Sequence, residues 1–535
     1  MASAIVRDTF ALEPDDLPGL PLSALAGFTV LGGYLLVSPI ADNAAALAGN
    51  AWMPVITVAT LAAVAIASQL YQMLVTRVGM DLVMPIVYRI LSGIVVIFAI
   101  GLATSKGDAA HGWSFALCIF TGMFSLYTQS TFWATMAQLH SREQARRTYG
   151  IVAAGQQLGS IFAAAVAAAL YAYIHYWQLV LGALLIEVTV HLVNCRRRMP
   201  TSQTTSHKDE EAIGKDVISA PSPVNVNAIG TAAGNAEQRL ACCNTLNETL
   251  DLMLGSSLLR MLTCHSFITN FLTAAIYYER AHASVVAFAT SAERVRFFSL
   301  QNGVVSTCTL VLQIFVTGRL TKLLGVTSML MLEPFSAFIG LVAYAVYPGL
   351  LSIVLLDGVR KVVHYSFLKP VRESIFSQLE GDVKFRAKAF IDAFVFRAGS
   401  ASAAGYFAVS HAMGANPHVR AGICLAVALL WLAVSCFLGR SADAMSARQP
   451  AADQAAPPVG VASGNGNGAE QVVHTEETPM LSTQSSSSRQ VKQHAKWQYV
   501  ALFALGAFLV VALATLAVTV CFTSQDKKAY CERSS

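Results

Sequence analysis

The sequence has few charged residues. Asp, Glu, Lys and Arg make up 13% of its 535 residues, whereas hydrophobic residues make up 55%, and the mean hydropathy is +0.54. Soluble globular domains average about 25% charged residues, so a water-soluble fold of this composition would expose too much apolar surface. The composition excludes a soluble protein and makes membrane lipids the expected surroundings.

Several catalytic signatures are also missing. The sequence holds no GxxxxGK[ST], no HExxH and no GxSxG, and its ten cysteines form no CxxC pair. These absences argue against a built-in ATPase of the phosphate-loop type, a zinc hydrolase or a serine hydrolase. We therefore expect no enzyme, no cofactor, no metal and no nucleic-acid partner.

Long apolar runs are present instead. A helix needs roughly 20 apolar residues to cross a hydrocarbon core about 30 Å thick, and a helix satisfies its own backbone hydrogen bonds in lipid. The runs predict an all-α membrane protein with six spans, six more, and one apart. They lie near 22–40, 52–75, 83–104, 113–136, 149–171, 177–194, 259–279, 300–318, 327–346, 350–367, 389–411, 419–438 and 497–522.

Polar segments separate these spans, and the last long one is too poor in apolar residues to fold. The predicted order is an N-terminal tail (1–21), a six-helix bundle (22–194), a connector (195–257), a second six-helix bundle (258–440), a disordered linker (441–496), a thirteenth helix (497–522) and a polar tail (523–535). Lys and Arg concentrate after even-numbered spans, which places those loops and the N-terminus in the cytosol. An exception to this pattern is the group Arg280, Arg294 and Arg296. The sequence does not indicate which membrane holds the protein.

An internal repeat relates the two sets of six spans. "QLHSREQARRTYGIVAAGQQLGS" aligns without a gap on "QLEGDVKFRAKAFIDAFVFRAGS", at an offset of 240 residues that pairs Gly159 with Gly399 and Ser160 with Ser400. Two related six-helix halves joined by a polar loop are typical of the major-facilitator plan, in which the solute binds between the halves near mid-membrane. We therefore predict a 6+6 fold of this type with a pseudo-twofold axis and one additional helix.

Ionisable side chains inside spans are costly and usually face a cavity or a partner. Glu187 and Glu333 lie near predicted span edges and are set aside. In span ten, Asp357 and Lys361 share one helix face; they either form an internal ion pair or leave Lys361 to bind an anion. The ionisable residues within predicted spans are Arg89, Glu279, Asp357, Arg360, Lys361, His364, Asp392 and Arg397.

Several segments resemble the nucleotide transporters of plastids and intracellular bacteria, the ATP/ADP antiporters related to the major facilitators. The resemblance is carried by "STFWATMAQLHSREQARRTYGIVAAGQQLGS", "LVLQIFVTGRLTKLLGV" and "KVVHYSFLKPVRESIFSQLEGDVKFRAKAFIDAFVFRAG". It implies exchange of nucleotides through an alternating-access cavity. In that family's pattern Arg372 takes the place of a basic residue implicated in nucleotide handling, Lys388 and Asp392 match a Lys and an Asp of the next helix, and Glu279 lies near a functional acid.

The sequence departs from the family pattern at positions where charges often stand. Ser38 and Ala41 take the place of charged residues near the end of the first span, and Thr121 takes the place of an acid. Losing a basic group from an anion site should weaken phosphate binding or shift the solute towards something less charged. The predicted solute-binding residues are Arg372, Lys361, Lys388, Arg397, Glu279 and Asp392.

The sequence thus predicts a multi-pass transporter that exchanges nucleotides or related organic anions, with a small anionic solute as partner. One alternative is a facilitator that moves a nucleoside or metabolite with an ion gradient, with His364 or Glu279 as proton carrier. Another is a membrane sensor or scaffold that acts through its last helix, whose protein partner is unknown.

Overall fold

The described part of the chain is helical throughout. The computed structural model describes residues 19–49, 52–78, 80–140, 142–199, 251–377, 379, 383, 387–388 and 390–455. The α-helices are α1 (Leu20–Ala48), α2 (Met53–Val78), α3 (Met80–Thr104), α4 (Asp108–Leu139), α5 (Arg142–Ile174), α6 (Gln178–Arg197), α7 (Ser257–Ala287), α8 (Ser291–Leu312), α9 (Gly318–Val346), α10 (Leu350–Val363), α11 (Lys369–Ser377), α12 (Phe396–Ala412) and α13 (Pro417–Ala455).

The helices form two halves, the first from α1 to α6 and the second from α7 to α13. Each of the first twelve predicted spans overlaps a helix, and the described residues contain no strand. Eight helical stretches of the described residues are long and apolar enough to cross a membrane. These observations confirm the predicted all-α membrane fold. The predicted thirteenth span, 497–522, lies outside the described residues.

Glycines allow α1 to approach α5 in the first half, and α7 to approach α12 in the second half. Gly159 of α5 faces the carbonyl oxygen of Phe28 in α1, and Gly399 of α12 faces that of Phe267 in α7. Small residues let helix backbones approach closely in membranes, where packing replaces the hydrophobic effect. The repeat that pairs Gly159 with Gly399 therefore marks one helix crossing that occurs in both halves.

Three π-helical turns interrupt the helices of the second half, at Gln313–Thr317, His364–Leu368 and Ile391–Val395. Such turns are uncommon and leave backbone carbonyls without their usual partner. Side chains of the first turn compensate the second: Gln313 donates to the carbonyl of Tyr365 at 3.1 Å, and Thr317 donates to that of Ser366 at 3.0 Å.

The last described helix corrects one predicted boundary. Residue 441 is the predicted start of a disordered linker, but α13 continues to Ala455. The helix is therefore longer than the apolar run near 419–438.

Candidate functional site

A cavity of about 430 Å³ lies between the two halves. Helices α1, α2 and α4 line it from the first half, and α7, α10 and α12 line it from the second. Its polar lining comprises Tyr34, Ser38, Asp42, Thr57, Thr60, Cys118, Thr121, Ser125, Thr273, Tyr277, Tyr278, Asp357, Arg360, Lys361, Arg397 and Ser400. Of the six predicted solute-binding residues, Lys361 and Arg397 reach this cavity.

Carboxylates accompany the basic residues of α10. Lys361 Nζ lies 2.8 Å from Asp357 Oδ2, and Arg360 Nη2 lies 3.2 Å from Asp357 Oδ1. Arg360 also lies 3.3 Å from Glu333 Oε1 of α9. Asp357 and Lys361 thus form the ion pair that their helical spacing allows, and Lys361 keeps 21% of its side chain exposed on the cavity side.

Arg397 differs from the other basic residues of the cavity. Its guanidinium donates to the carbonyl of Gly122 in α4 at 3.3 Å, and no described carboxylate lies within ion-pair distance of it. Three basic and two acidic side chains line the cavity. The lining therefore carries one net positive charge. The buried Arg280 and Glu333 lie behind it, and their opposite charges leave this sum unchanged.

Polar contacts join the halves where α1 ends and α2 begins, which we name the α1–α2 end. Arg280 of α7 is 1% exposed and lies 3.8 Å from Asp42 of α1 and 3.3 Å from Asp357 of α10. Arg294 of α8 donates to Asn43 Oδ1 at 2.7 Å. These two arginines connect the halves at this end.

Further contacts strengthen this end. The hydroxyl of Tyr277 donates to Asp42 Oδ1 at 3.1 Å, and the hydroxyls of Thr57 and Tyr278 lie 2.7 Å apart. The apolar residues Ala45 and Met53 of the first half belong to a core cluster that is otherwise built mainly from the second half. The α1–α2 end is therefore closed, and transfer of a solute past it requires these contacts to break.

Three of the predicted residues form a separate cluster near α11. Arg372 Nη2 lies 3.5 Å from Asp392 Oδ1, Lys388 pairs with Glu373, and the Arg372 guanidinium lies 4.7 Å from the ring centroid of Phe396. This cluster does not line the cavity. Asp392 and Arg397 lie five residues apart along the chain and have different partners, Arg372 for Asp392 and the carbonyl of Gly122 for Arg397.

Glu279 lies behind the cavity wall. Its carboxylate accepts hydrogen bonds from Arg420 Nη2 at 3.1 Å and from the Tyr344 hydroxyl at 3.0 Å. Arg420 also donates to the carbonyl of Ala415 at 2.6 Å. Both members of the pair are buried, so the structure places Glu279 in an ion pair between α7 and α13.

The sequence did not predict some of the residues around the site. Glu333, predicted to lie near a span edge, is fully buried and accepts from His364 Nδ1 at 2.9 Å. Arg280 and Arg294 interrupt the predicted loop-charge pattern because they are buried between helices rather than exposed in loops. This exception to the charge pattern is the feature of the sequence that could have indicated their buried position. The substituted positions Ser38, Ala41 and Thr121 all line the cavity.

Comparison with known proteins supports the fold. No protein-family model and no curated protein sequence matches the chain. A crystal structure of a mutant peptide transporter POT in complex with sulfate matches with a TM-score of 0.50 and 15% identity, over 79% of this chain and 95% of that chain. Another crystal structure of that mutant matches with a TM-score of 0.51 and 14% identity, over the same shares of the two chains.

These likenesses concern the fold, and they agree with the two helical halves and the cavity between them. The resemblance to nucleotide transporters stays a prediction. The chain is a multi-pass integral membrane protein with the fold of the major-facilitator transporters.

Proposed function

We propose that this protein is an alternating-access transporter that exchanges small organic anions through the cavity between its halves. The observation that carries the proposal is Arg397, a guanidinium in the cavity wall without a described carboxylate partner. A charge inside a membrane protein usually has a partner or a function. An anionic solute would supply the negative charge that Arg397 lacks.

The size and charge of the cavity narrow the class of solute. Its volume of about 430 Å³ falls in the range of roughly 300–1,000 Å³ that holds drug-sized ligands. One net positive charge balances a solute with one or two negative charges better than one with four. Within the nucleotides to which the sequence resemblance points, a monophosphate fits this balance better than a triphosphate.

The same charge favours exchange over one-way movement. To change sides empty, the protein would enclose Arg397 between the halves without a counter-charge, and enclosing an unpaired ion costs several kcal/mol. A bound anion removes that penalty. The loaded protein should therefore change sides much faster than the empty one.

Proteoliposomes test the proposal. Uptake of labelled AMP is measured into vesicles that contain AMP and into empty vesicles, with adenosine, ADP and ATP as competitors. We expect uptake to depend on internal AMP and to be competed best by AMP. Arg397→Gln should reduce uptake roughly 10- to 100-fold, since it removes a charge-assisted contact.

Arg89→Gln is the matched control, because Arg89 is exposed and pairs with Glu187 at 3.2 Å away from the cavity. Equal uptake into loaded and empty vesicles would refute exchange. If no member of the adenine series is transported, or if Arg397→Gln transports AMP as well as Arg89→Gln does, the cavity does not bind anions in the proposed way.

A second candidate function, transport coupled to a proton gradient, is favoured by one contact. Glu333 is fully buried, and its Oε2 lies 2.9 Å from His364 Nδ1. A carboxylate and an imidazole this close can hold a proton between them. In this case a pH gradient should drive AMP into empty vesicles, and Glu333→Gln should abolish that uptake. A gradient without effect on empty vesicles would exclude coupling.

A further inference from the structure

Hydroxyl side chains from three helices line the same cavity as Arg397. Ser400 lies one helical turn after Arg397 on α12, and Thr60 of α2 and Thr121 of α4 line the same cavity. Gly122, next to Thr121, lies close to both Thr60 and Arg397. A Cβ at this glycine would lie 2.5 Å from Thr60 Cγ2 and 3.8 Å from Arg397 Nη1. We name Arg397, Thr60, Thr121 and Ser400 the hydroxyl subsite.

Each of these hydroxyls already uses its proton. Thr60 donates to the carbonyl of Ile56 at 2.7 Å, and Thr121 donates to that of Leu117 at 2.8 Å. Ser400 likewise donates to the carbonyl four residues before it, at 3.2 Å. A hydroxyl has one proton and two lone pairs, so these three side chains offer acceptors to the cavity.

Two other cavity threonines provide a contrast. Thr273 also donates to the carbonyl four residues before it, but it accepts from Arg360 Nη1 at 2.9 Å. Thr57 donates to the carbonyl of Met53 at 2.8 Å and has the Tyr278 hydroxyl at 2.7 Å. In each of these two threonines, one lone pair is therefore already engaged by another side chain of the protein. Among the described residues, Thr60, Thr121 and Ser400 show only the bond to the backbone carbonyl.

The subsite therefore combines a guanidinium, which only donates, with hydroxyls that accept. We infer that the solute is an organic anion with hydroxyl groups beside its anionic group, so that Arg397 binds the anionic oxygen and Thr60, Thr121 and Ser400 accept from the neighbouring O–H groups. An anion without such donors could bind these hydroxyls only if each gave up its hydrogen bond to the backbone carbonyl. Sugar phosphates and nucleotides have the required chemistry. This inference rests on the proposed transport function.

Pairs of solutes that differ only in hydroxyl groups test the inference. In the proteoliposome assay, AMP is compared with 2′,3′-dideoxyadenosine monophosphate, and glycerol 3-phosphate with propyl phosphate. For the wild type we expect the hydroxylated member of each transported pair to be preferred roughly tenfold, the effect of leaving buried acceptors unpaired.

Substitutions in the hydroxyl subsite test which side chains cause the preference for the hydroxylated solute. Thr121→Val and Thr60→Val keep the side-chain shape but remove the acceptor, and each should lower the preference several-fold. Thr121→Ser and Thr60→Ser retain the hydroxyl and should keep it. Arg397→Gln should reduce transport of both members of a pair and leave their ratio largely unchanged.

The outcomes separate this inference from the proposed function. If both members of a pair are transported equally and transport still requires Arg397, the hydroxyl subsite is refuted and anion transport stands. A preference that survives Thr60→Val and Thr121→Val also overturns it. If no anion of either pair is transported, or if Arg397→Gln transports them as well as the wild type, the proposed function itself fails.

Discussion

Asp42→Asn and Arg280→Gln are expected to shift the affinity for an anion in opposite directions while both open the α1–α2 end of the cavity. The two residues form an ion pair between the halves, with 3.8 Å between Arg280 Nη2 and Asp42 Oδ2. Either substitution breaks that pair. Asp42→Asn adds one unit of net positive charge to the cavity, and Arg280→Gln removes one.

The expected change in affinity is large. One unit charge at a separation of roughly 8 Å, with an effective dielectric constant of about 20, contributes about 2 kcal/mol, or roughly a 30-fold change in Kd. We expect tighter binding of AMP to the Asp42→Asn variant and weaker binding to Arg280→Gln. Titration calorimetry on the purified protein measures both constants.

Neither variant is expected to unfold. In Asp42→Asn the amide oxygen can still accept from Tyr277, which donates to this position at 3.1 Å. In Arg280→Gln, Asp357 keeps Lys361 at 2.8 Å and Arg360 at 3.2 Å. The effects on affinity and on opening can therefore be measured in folded protein.

Opening of the α1–α2 end is measured separately, by the reaction of Cys118 with a membrane-impermeant maleimide after the other cysteines have been replaced. Cys118 lines the cavity, so it reacts faster when that end opens. Both variants should accelerate the reaction, and Arg89→Gln should not.

If the two affinities shift in the same direction, net charge does not govern binding. An unchanged rate for Cys118 would show that the ion pair does not close this end.

The fold was largely predictable from the sequence, because lipid forces apolar, helical spans. The apolar runs near 259–279, 350–367 and 389–411 predict even the three cavity helices of the second half, although two of these helices are less regular. The eight stretches that are long and apolar enough to span a membrane include none of α7, α10 and α12, which are the helices of the second half that line the cavity. π-Turns at His364–Leu368 and Ile391–Val395 divide the helical runs there, which leaves α10 with 14 residues and α12 with 17, both shorter than the roughly 20 residues that a membrane crossing needs.

The site was predictable only where charge alone decides it. Lys361 and Arg397 stand out as basic residues inside spans, and both reach the cavity. Arg372 and Lys388 look equivalent in sequence but lie in another cluster, since the rotation of each helix depends on packing across the halves. Glu333 becomes recognisable only through its contacts with Arg360 and His364, which follow it by about thirty residues along the chain.

The internal repeat allows a final prediction about stability. Gly159→Ala and Gly399→Ala should each lower the melting temperature of the purified protein by several degrees. A Cβ at Gly159 would lie less than 3.0 Å from the carbonyl oxygen of Phe28, and one at Gly399 would lie 2.6 Å from that of Phe267. The helices would have to separate, and such overpacking costs about 1–3 kcal/mol.

Each substitution has a control on its own helix. A Cβ added at Gly150 of α5 or at Gly405 of α12 would meet no atom within 4 Å. Alanine favours a helix over glycine by up to about 1 kcal/mol, so Gly150→Ala and Gly405→Ala should leave the melting temperature unchanged or raise it.

If the crossings are equivalent, as the repeat indicates, Gly159→Ala and Gly399→Ala should have similar effects, and their combination should be additive because they lie in different halves. Melting temperatures of Gly159→Ala and Gly399→Ala that match their controls would mean that these glycines do not set the helix spacing, and the aligned pair would then be a coincidence of sequence.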